Sequence, residues 1–438
     1  MSIFNIAFLM KLHVLDDGML TDRRNKVIIF IMACFLSVFG FAGQSAGIAG
    51  ITNAILATTG ISRNIFSVIY MISMLVGGCL VLFGGSIVDR IGVRRSAIHV
   101  LILWTMVLSF MACSFSLFRK IFSGLVTQQA YFVVVLFIGL SALRFLGKNM
   151  MPLIGRMQVV STFDTNKGIA VAVSGVCVSI MTGLAPSVMY GLSGGSQWQV
   201  AYGVLSIISV VAVLLFVRYF YPIDCKNDHS DDRAANTSND SGKVFSRRYL
   251  LCQLKFWCVA SVIIMNSFIG GGLAVHIVDI FAEKGVVCDV AIRSYFYLSI
   301  ATIISHMIFG RVFDKRGVKN CIIIMLCLQF LGLTGLDNVN YFGGLALYVI
   351  CIGATWGAYN ALLTAAWHKL FGAQNMGTIL GLVCFMSTIV SSFSVPLMSF
   401  SKSIFGSYFI LLRCIMAVIA CLIIFTVWKF PSDIKKYP

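Results

Sequence analysis

The sequence predicts an all-α membrane protein, twelve transmembrane helices arranged as two six-helix bundles. Three observations carry that prediction. Of the 438 residues, 59% are hydrophobic and 11% charged, and the mean hydropathy is +0.94, which excludes an ordinary soluble protein. Apolar runs of about 20 residues recur along the chain, each long enough to cross a bilayer core as a helix. A charged turn, Gly85-Ser-Ile-Val-Asp89-Arg90-Ile-Gly92-Val-Arg94-Arg95, returns about half the chain later as Gly310-Arg-Val-Phe-Asp314-Lys315-Arg316-Gly317-Val-Lys319. Both read G-x-x-x-D-[R/K]-x-G-x-[R/K], the mark of two related halves.

Taken in order, residues 1–26 form a cytoplasmic segment and residues 27–221 the first bundle. Span 1 and an outer loop fall within 27–62, a stretch free of charge, and span 2 runs over 65–88 into the first turn. Span 3 covers 96–118 and span 4 131–153, and the basic segment 156–167 returns on the inside. Span 5 covers 168–192 and span 6 201–221, with Trp198 placed to anchor at the interface. Residues 222–255 are rich in Asp, Asn and Ser, have little to bury, and read as a cytoplasmic linker. The second bundle, 256–428, holds spans at 256–280, 291–309, 320–336, 341–366, 376–400 and 405–428, and 429–438 is a cytoplasmic tail. Two parallel six-helix bundles joined by such a linker are expected to contain inverted three-helix repeats.

The net charge of +17 invites a nucleic-acid partner, but the basic residues gather in the segments assigned to one side, as the positive-inside rule requires. The 14 cysteines sit mostly singly in apolar segments without C-x-x-C or Cys/His spacing, so neither a metal nor a disulfide framework is expected. No nucleotide-binding loop, catalytic triad or cofactor motif is visible, and no enzymatic activity is expected. The apolar start, 1–10, lacks a basic flank and is a poor signal peptide.

Within the spans, the costly residues are the informative ones. Arg144 and Lys148 are four apart in span 4 and share a face, with Arg144 ~13 Å from the inner helix end at ~1.5 Å per residue. Cations at such depth face a polar cavity or a partner. Asp279 is the one carboxylate assigned within a span, and His276 lies three residues before it. The buried balance is therefore cationic, which favours an anionic solute. His276 and Asp279 are candidates for coupling to protons, with a simple ion pair between them as the alternative. Gln44, Tyr70, Trp356, Tyr359 and Asn360 are polar or aromatic candidates for a cavity wall. Gly40-x-x-Gly43 and Gly270-Gly-Gly272 permit close packing, and Pro186 and Pro396 are expected to bend their helices.

The two charged turns resemble the signature loop of the major facilitator superfamily, which joins helices 2 and 3 and recurs between helices 8 and 9. The resemblance implies a secondary transporter working by alternating access, gated at Gly85, Asp89, Arg90, Gly92 and Arg94 and at Gly310, Asp314, Lys315 and Gly317. It implies that Asp89 faces the start of span 11, Asn375–Gly377, and Asp314 the start of span 5, Asn166–Gly168. Helices 1, 4, 7 and 10 line the cavity in that family, which puts Gln44, Arg144, Lys148, His276, Trp356, Tyr359 and Asn360 toward a substrate, with Tyr70 less favoured. The family often carries Arg followed by G-x-G in span 4; here Asn149 replaces the second glycine.

Further residues, Gly43-Gln44-Ser-x-Gly47, Gly60-Ile-Ser-Arg63 with Tyr70, Lys167-Gly168-x-Ala170, His276, and Trp367-x-x-x-Phe371-Gly372 with Gly377-x-x-x-Gly381, resemble the monocarboxylate and oxalate–formate transporter-like branch. Its mid-span Arg in helix 8 and Lys in helix 11 are missing, since only Arg293 and Lys402 come near those places. The resemblance implies a small organic anion as substrate, coupled to H+ or a counter-anion. A proton-coupled carrier of an amino acid or other neutral or zwitterionic metabolite is the alternative, and a transporter-like sensor a third. The expected setting is a bacterial inner membrane, with both termini cytoplasmic, the bilayer as partner, and a monomeric state.

Overall fold

A computed structural model describes residues 17–121, 128–162, 167–219, 252–371 and 376–429. Every regular element among them is a helix. Eleven stretches are long and apolar enough to cross a membrane, and the 30-residue helix Met376–Phe405 takes the remaining place, before Phe409–Lys429. Side chains such as Ile207, Leu214 and Ile424, each more than 60% exposed, form the apolar outside that a bilayer covers.

Spans 2 and 3 are Arg63–Ile91 and Val93–Ile121, and spans 5, 6 and 7 are Lys167–Ser193, Trp198–Tyr219 and Leu254–Glu283. Spans 8 and 9 form one long element, Cys288–Asp337, broken at Gly317. Spans 10, 11 and 12 are Phe342–Phe371, Met376–Phe405 and Phe409–Lys429.

Spans 1 and 4 are irregular where the sequence suggests plain helix. Span 1 begins as Asp17–Phe39, tightens into a 3-10 turn at Gly40–Gly43, becomes extended at Gln44 (ψ 158°), and resumes as Ser45–Ala49 and Thr52–Thr59. Span 4 runs Gln128–Leu143, widens into a π-helical turn at Arg144–Met150, and continues as Met151–Thr162. The two irregular stretches pack on each other, and glycine makes that possible. A Cβ at Gly40 would lie 2.2 Å from the Gly147 carbonyl oxygen, and one at Gly43 2.2 Å from that of Leu143. Small residues at such crossings let membrane helices meet backbone to backbone. Gly271 serves the same end between spans 7 and 11, where a Cβ would stand 2.4 Å from Ser391 Oγ.

The glycines of the two charged turns work differently. Gly92 has φ 89° and ψ 148°, and Gly317 φ 74° and ψ 174°, a region that is essentially glycine's alone. A Cβ at either would meet nothing within 4 Å, so the requirement is backbone conformation and not close approach. The paired conformations repeat the sequence motif in three dimensions.

Hydroxyl pairs tie span 3 to span 6, Thr105 to Ser209 at 2.7 Å and Ser109 to Ser206 at 2.6 Å. Trp198, expected at the interface, is instead fully buried. Its indole N–H donates to Thr58 Oγ1 at 2.7 Å, so an internal partner satisfies the polar end that water would otherwise hold.

Candidate functional site

The break in span 1 places two neighbouring side chains in opposite directions. Gln44 Oε1 accepts from Thr182 Oγ1 of span 5 at 3.1 Å, while Ser45 Oγ accepts from Arg144 Nη2 at 3.1 Å. Extended backbone at Gln44 makes this divergence possible, because successive side chains alternate sides only where the helix is undone.

Thr182 belongs to the wall of a cavity of about 250 Å3 between the halves. The hydroxyls of Ser179, Thr182 and Ser299, the Asn266 amide, and the rings of Trp356 and Tyr359 line it, and among the described lining residues none is a carboxylate, Lys, Arg or His. Of the residues singled out in the sequence, Trp356 and Tyr359 line this cavity and Gln44 touches its wall through Thr182. Asn266, Ser179 and Ser299 were not singled out; as ordinary polar residues in apolar runs, they carried no signal of their own.

Arg144 lies apart from this cavity, within the first half. It is 1% exposed, its Cζ stands 4.3 Å from the Tyr70 ring centroid, and Gly77 of span 2 leaves room for it, since a Cβ there would sit 3.1 Å from Arg144 Cβ. Stacking a guanidinium on an aromatic face stabilises a cation in a dry site. Its Nε and Nη1 have no hydrogen-bond partner among the described residues, and the Tyr70 hydroxyl has none either. No carboxylate is paired with Arg144 among the described ion pairs. Lys148, on the following turn, is partly exposed. Asn149, in the place of the family's second glycine, donates from Nδ2 to the Gly77 carbonyl at 2.9 Å and so ties span 4 to span 2.

His276 and Asp279 lie away from the cavity lining, near the end of span 7. Asp279 Oδ2 is ion-paired with Arg63 Nη1 at the start of span 2, and His276 Nδ1 lies 3.4 Å from the same Nη1. The spacing of His276 and Asp279 suggested a pair between them; Arg63, far away in sequence, takes the carboxylate instead. This cluster sits at the face opposite the charged turns.

At the turns, Arg90 is exposed and Arg94 partly so, and Gly92 and Gly317 hold the backbone described above. Gly85, Asp89, Gly310, Asp314, Lys315 and Asn360 lie outside the described side chains, as do the proposed turn partners 166–168 and 375–377. Most of the linker 222–255 is likewise outside the described residues.

Solved structures share this architecture. A bacterial homologue of the human lysosomal transporter Spinster, inward-facing and unoccupied, aligns over 92% of this chain and 95% of its own at 12% identity and a TM-score of 0.63. The same homologue in its inward-facing, occupied form gives a TM-score of 0.62 at 11% identity, over 91% of this chain and 95% of its own. A D-xylose–proton symporter aligns over 94% of this chain and 99% of its own at 16% identity and a TM-score of 0.64. At these identities the likeness is one of fold. No curated protein sequence matches the chain. The Major Facilitator Superfamily profile, however, matches residues 30–395, spanning both halves and both charged turns, and so the chain belongs to this family of membrane transporters.

Proposed function

We propose that the protein moves a small organic anion across the membrane by alternating access, with Arg144 as the principal anion-binding residue. One observation carries this reading: a guanidinium almost wholly removed from water, with two nitrogens lacking a partner and no ion-paired carboxylate among the described residues. A buried cation left in that condition is costly, and an arriving carboxylate relieves the cost by accepting charge-assisted hydrogen bonds from it. Lys148 adds a second positive charge on the next turn. Tyr70 covers the guanidinium, so binding requires its ring to swing aside. Ser45 and Gln44, adjacent in the extended break, connect Arg144 to Thr182 of the cavity wall, and the hydroxyl, amide and aromatic groups of that cavity, about 250 Å3, hold the rest of a small solute. Asp89 and Asp314, on the repeated turns, gate the cytoplasmic face, and the resemblance to monocarboxylate carriers agrees with the anion.

The uncharged cavity wall favours a second reading, a neutral or zwitterionic solute such as an amino acid. A thermal-shift screen of the purified protein against lactate, oxalate, alanine and xylose separates the two. A ligand that binds only the folded form raises the melting point by mass action. The anion reading expects the carboxylates to stabilise wild type and not Arg144→Ala. Stabilisation by alanine or xylose alone would overturn it in favour of the second reading.

A further inference from the structure

Four carboxylates at the face opposite the turns are ion-paired among the described residues. Glu283 pairs with Lys402 at 3.0 Å, Asp289 with Arg293 at 2.8 Å, and Asp337 with Lys284 at 2.6 Å and Arg413 at 3.1 Å. Each of these pairs lies inside the second half. The fourth, Asp279 with Arg63, joins the second half to the first. Arg63 is also held on its own side, donating from Nη2 to Asn53 Oδ1 at 2.7 Å. Beside it, Ser399 Oγ donates to Asn64 Oδ1 at 2.5 Å, a neutral contact that also crosses between the halves. Arg63 also meets His276 Nδ1 and Tyr408 of the second half, so separation of the halves at this face must break these contacts together, and the ion pair with Asp279 is the one among them that holds opposite charges.

We propose that Asp279 is the proton-binding residue that sets whether the face opposite the turns opens, by making or releasing its pair with Arg63. The inference rests on the alternating-access reading. While Asp279 is ionised, its attraction to Arg63 holds the two halves together. Once the carboxylate takes up a proton, that attraction is lost and the face is free to open, so acidification on this side favours opening. The ion pair is about three-quarters buried, the side chains being 22% and 24% exposed, which shields it from screening by salt.

The charged and titratable neighbours support Asp279 over the alternatives. His276 is fully buried, with Nε2 3.0 Å from the Val395 carbonyl oxygen and Nδ1 facing the Arg63 guanidinium. A neutral ring that donates from Nε2 and accepts at Nδ1 satisfies both contacts, whereas a second proton on Nδ1 would point at a cation. Tyr408 of span 12 stacks near His276 at 5.4 Å between centroids. Lys402 of span 11 and Cys288 of span 8 lie within electrostatic reach of Asp279. Glu283, on the same helix, is occupied by Lys402, Ser407 Oγ and the Tyr408 amide, all within the second half, so its protonation leaves the link between halves intact.

The test is a distance measurement on the full chain in lipid nanodiscs. Spin labels are attached through ketone-bearing residues at Ser196 and Val287, exposed positions of the two halves at this face, and the native cysteines stay unlabelled. In wild type the long-distance population should grow as pH falls. In Asp279→Asn it should be large at every pH, and Arg63→Gln, which removes the pair from the other side, should behave alike should Asp279→Asn fail to fold. In His276→Gln the pH response should persist. A response that survives in Asp279→Asn, or vanishes only in His276→Gln, overturns the assignment of Asp279. A distance that stays short in every variant at every pH overturns alternating access itself.

Discussion

Arg144 shows how much one side chain can reveal and conceal in a sequence. Its depth in an apolar run was legible, because a cation there demands a reason. Its surroundings were not: Tyr70 was a candidate for the cavity wall with no link to Arg144, and Ser45 reads as a small helix residue. Only the fold brings them together, from three different spans. The arrangement predicts that Arg144→Lys, which keeps the charge and loses the planar fork, weakens carboxylate binding by about tenfold, or about 1.4 kcal/mol, as measured by calorimetric titration. Unchanged affinity would mean that charge alone is being read. Trp198 supplies a second prediction at this scale. Trp198→Phe leaves Thr58 Oγ1 without its indole donor and should lower stability by about 1 kcal/mol, seen as a lower melting temperature, with little effect on ligand affinity.

The breaks in the helices were the least legible feature of the elements. Residues 40–50 contain no proline, so nothing of that kind breaks span 1, whereas in span 4 Pro152 follows the π turn and cannot donate to the Lys148 carbonyl in a continuous helix. The 3-10 turn and the extended Gln44 arise where Gly40 and Gly43 bring span 1 against the backbone of span 4, a tertiary cause, while the π turn has both that contact and Pro152 beside it. The glycines themselves were read as packing residues, and there the reading matches the contacts. At the charged turns the role of glycine differs: Gly92 and Gly317 serve a positive-φ backbone and no close approach. Gly92→Ala or Gly317→Ala should therefore cost about 1–3 kcal/mol through backbone strain. Gly175→Ala makes a control, since it is helical, lacks positive φ and has open space around it, and should be neutral or stabilising by up to about 1 kcal/mol. Thermal melts of the three variants decide this, and equal melting points would remove the strain argument.

For the whole molecule, the two-bundle layout was legible because the bilayer imposes it. Long apolar runs can only be spans, and a motif that returns at half the chain length can only mark related halves. The contact between those halves was not legible, since Arg63 and Asp279 carry no joint signature in the sequence and meet only through folding. Nor did composition disclose that the cavity wall is neutral while the buried charge stands to one side of it. Under the proposed function, this separation divides the labour of recognition between a cation in the first half and neutral polar groups contributed mainly by the second. The claim is tested most directly by uptake of radiolabelled lactate or oxalate, whichever stabilises the protein more, into proteoliposomes containing wild type or Arg144→Ala. Wild type should accumulate the label above protein-free vesicles, and the variant, inserted to the same extent, should fall to background. Uptake by Arg144→Ala equal to wild type would contradict the role assigned to the buried guanidinium.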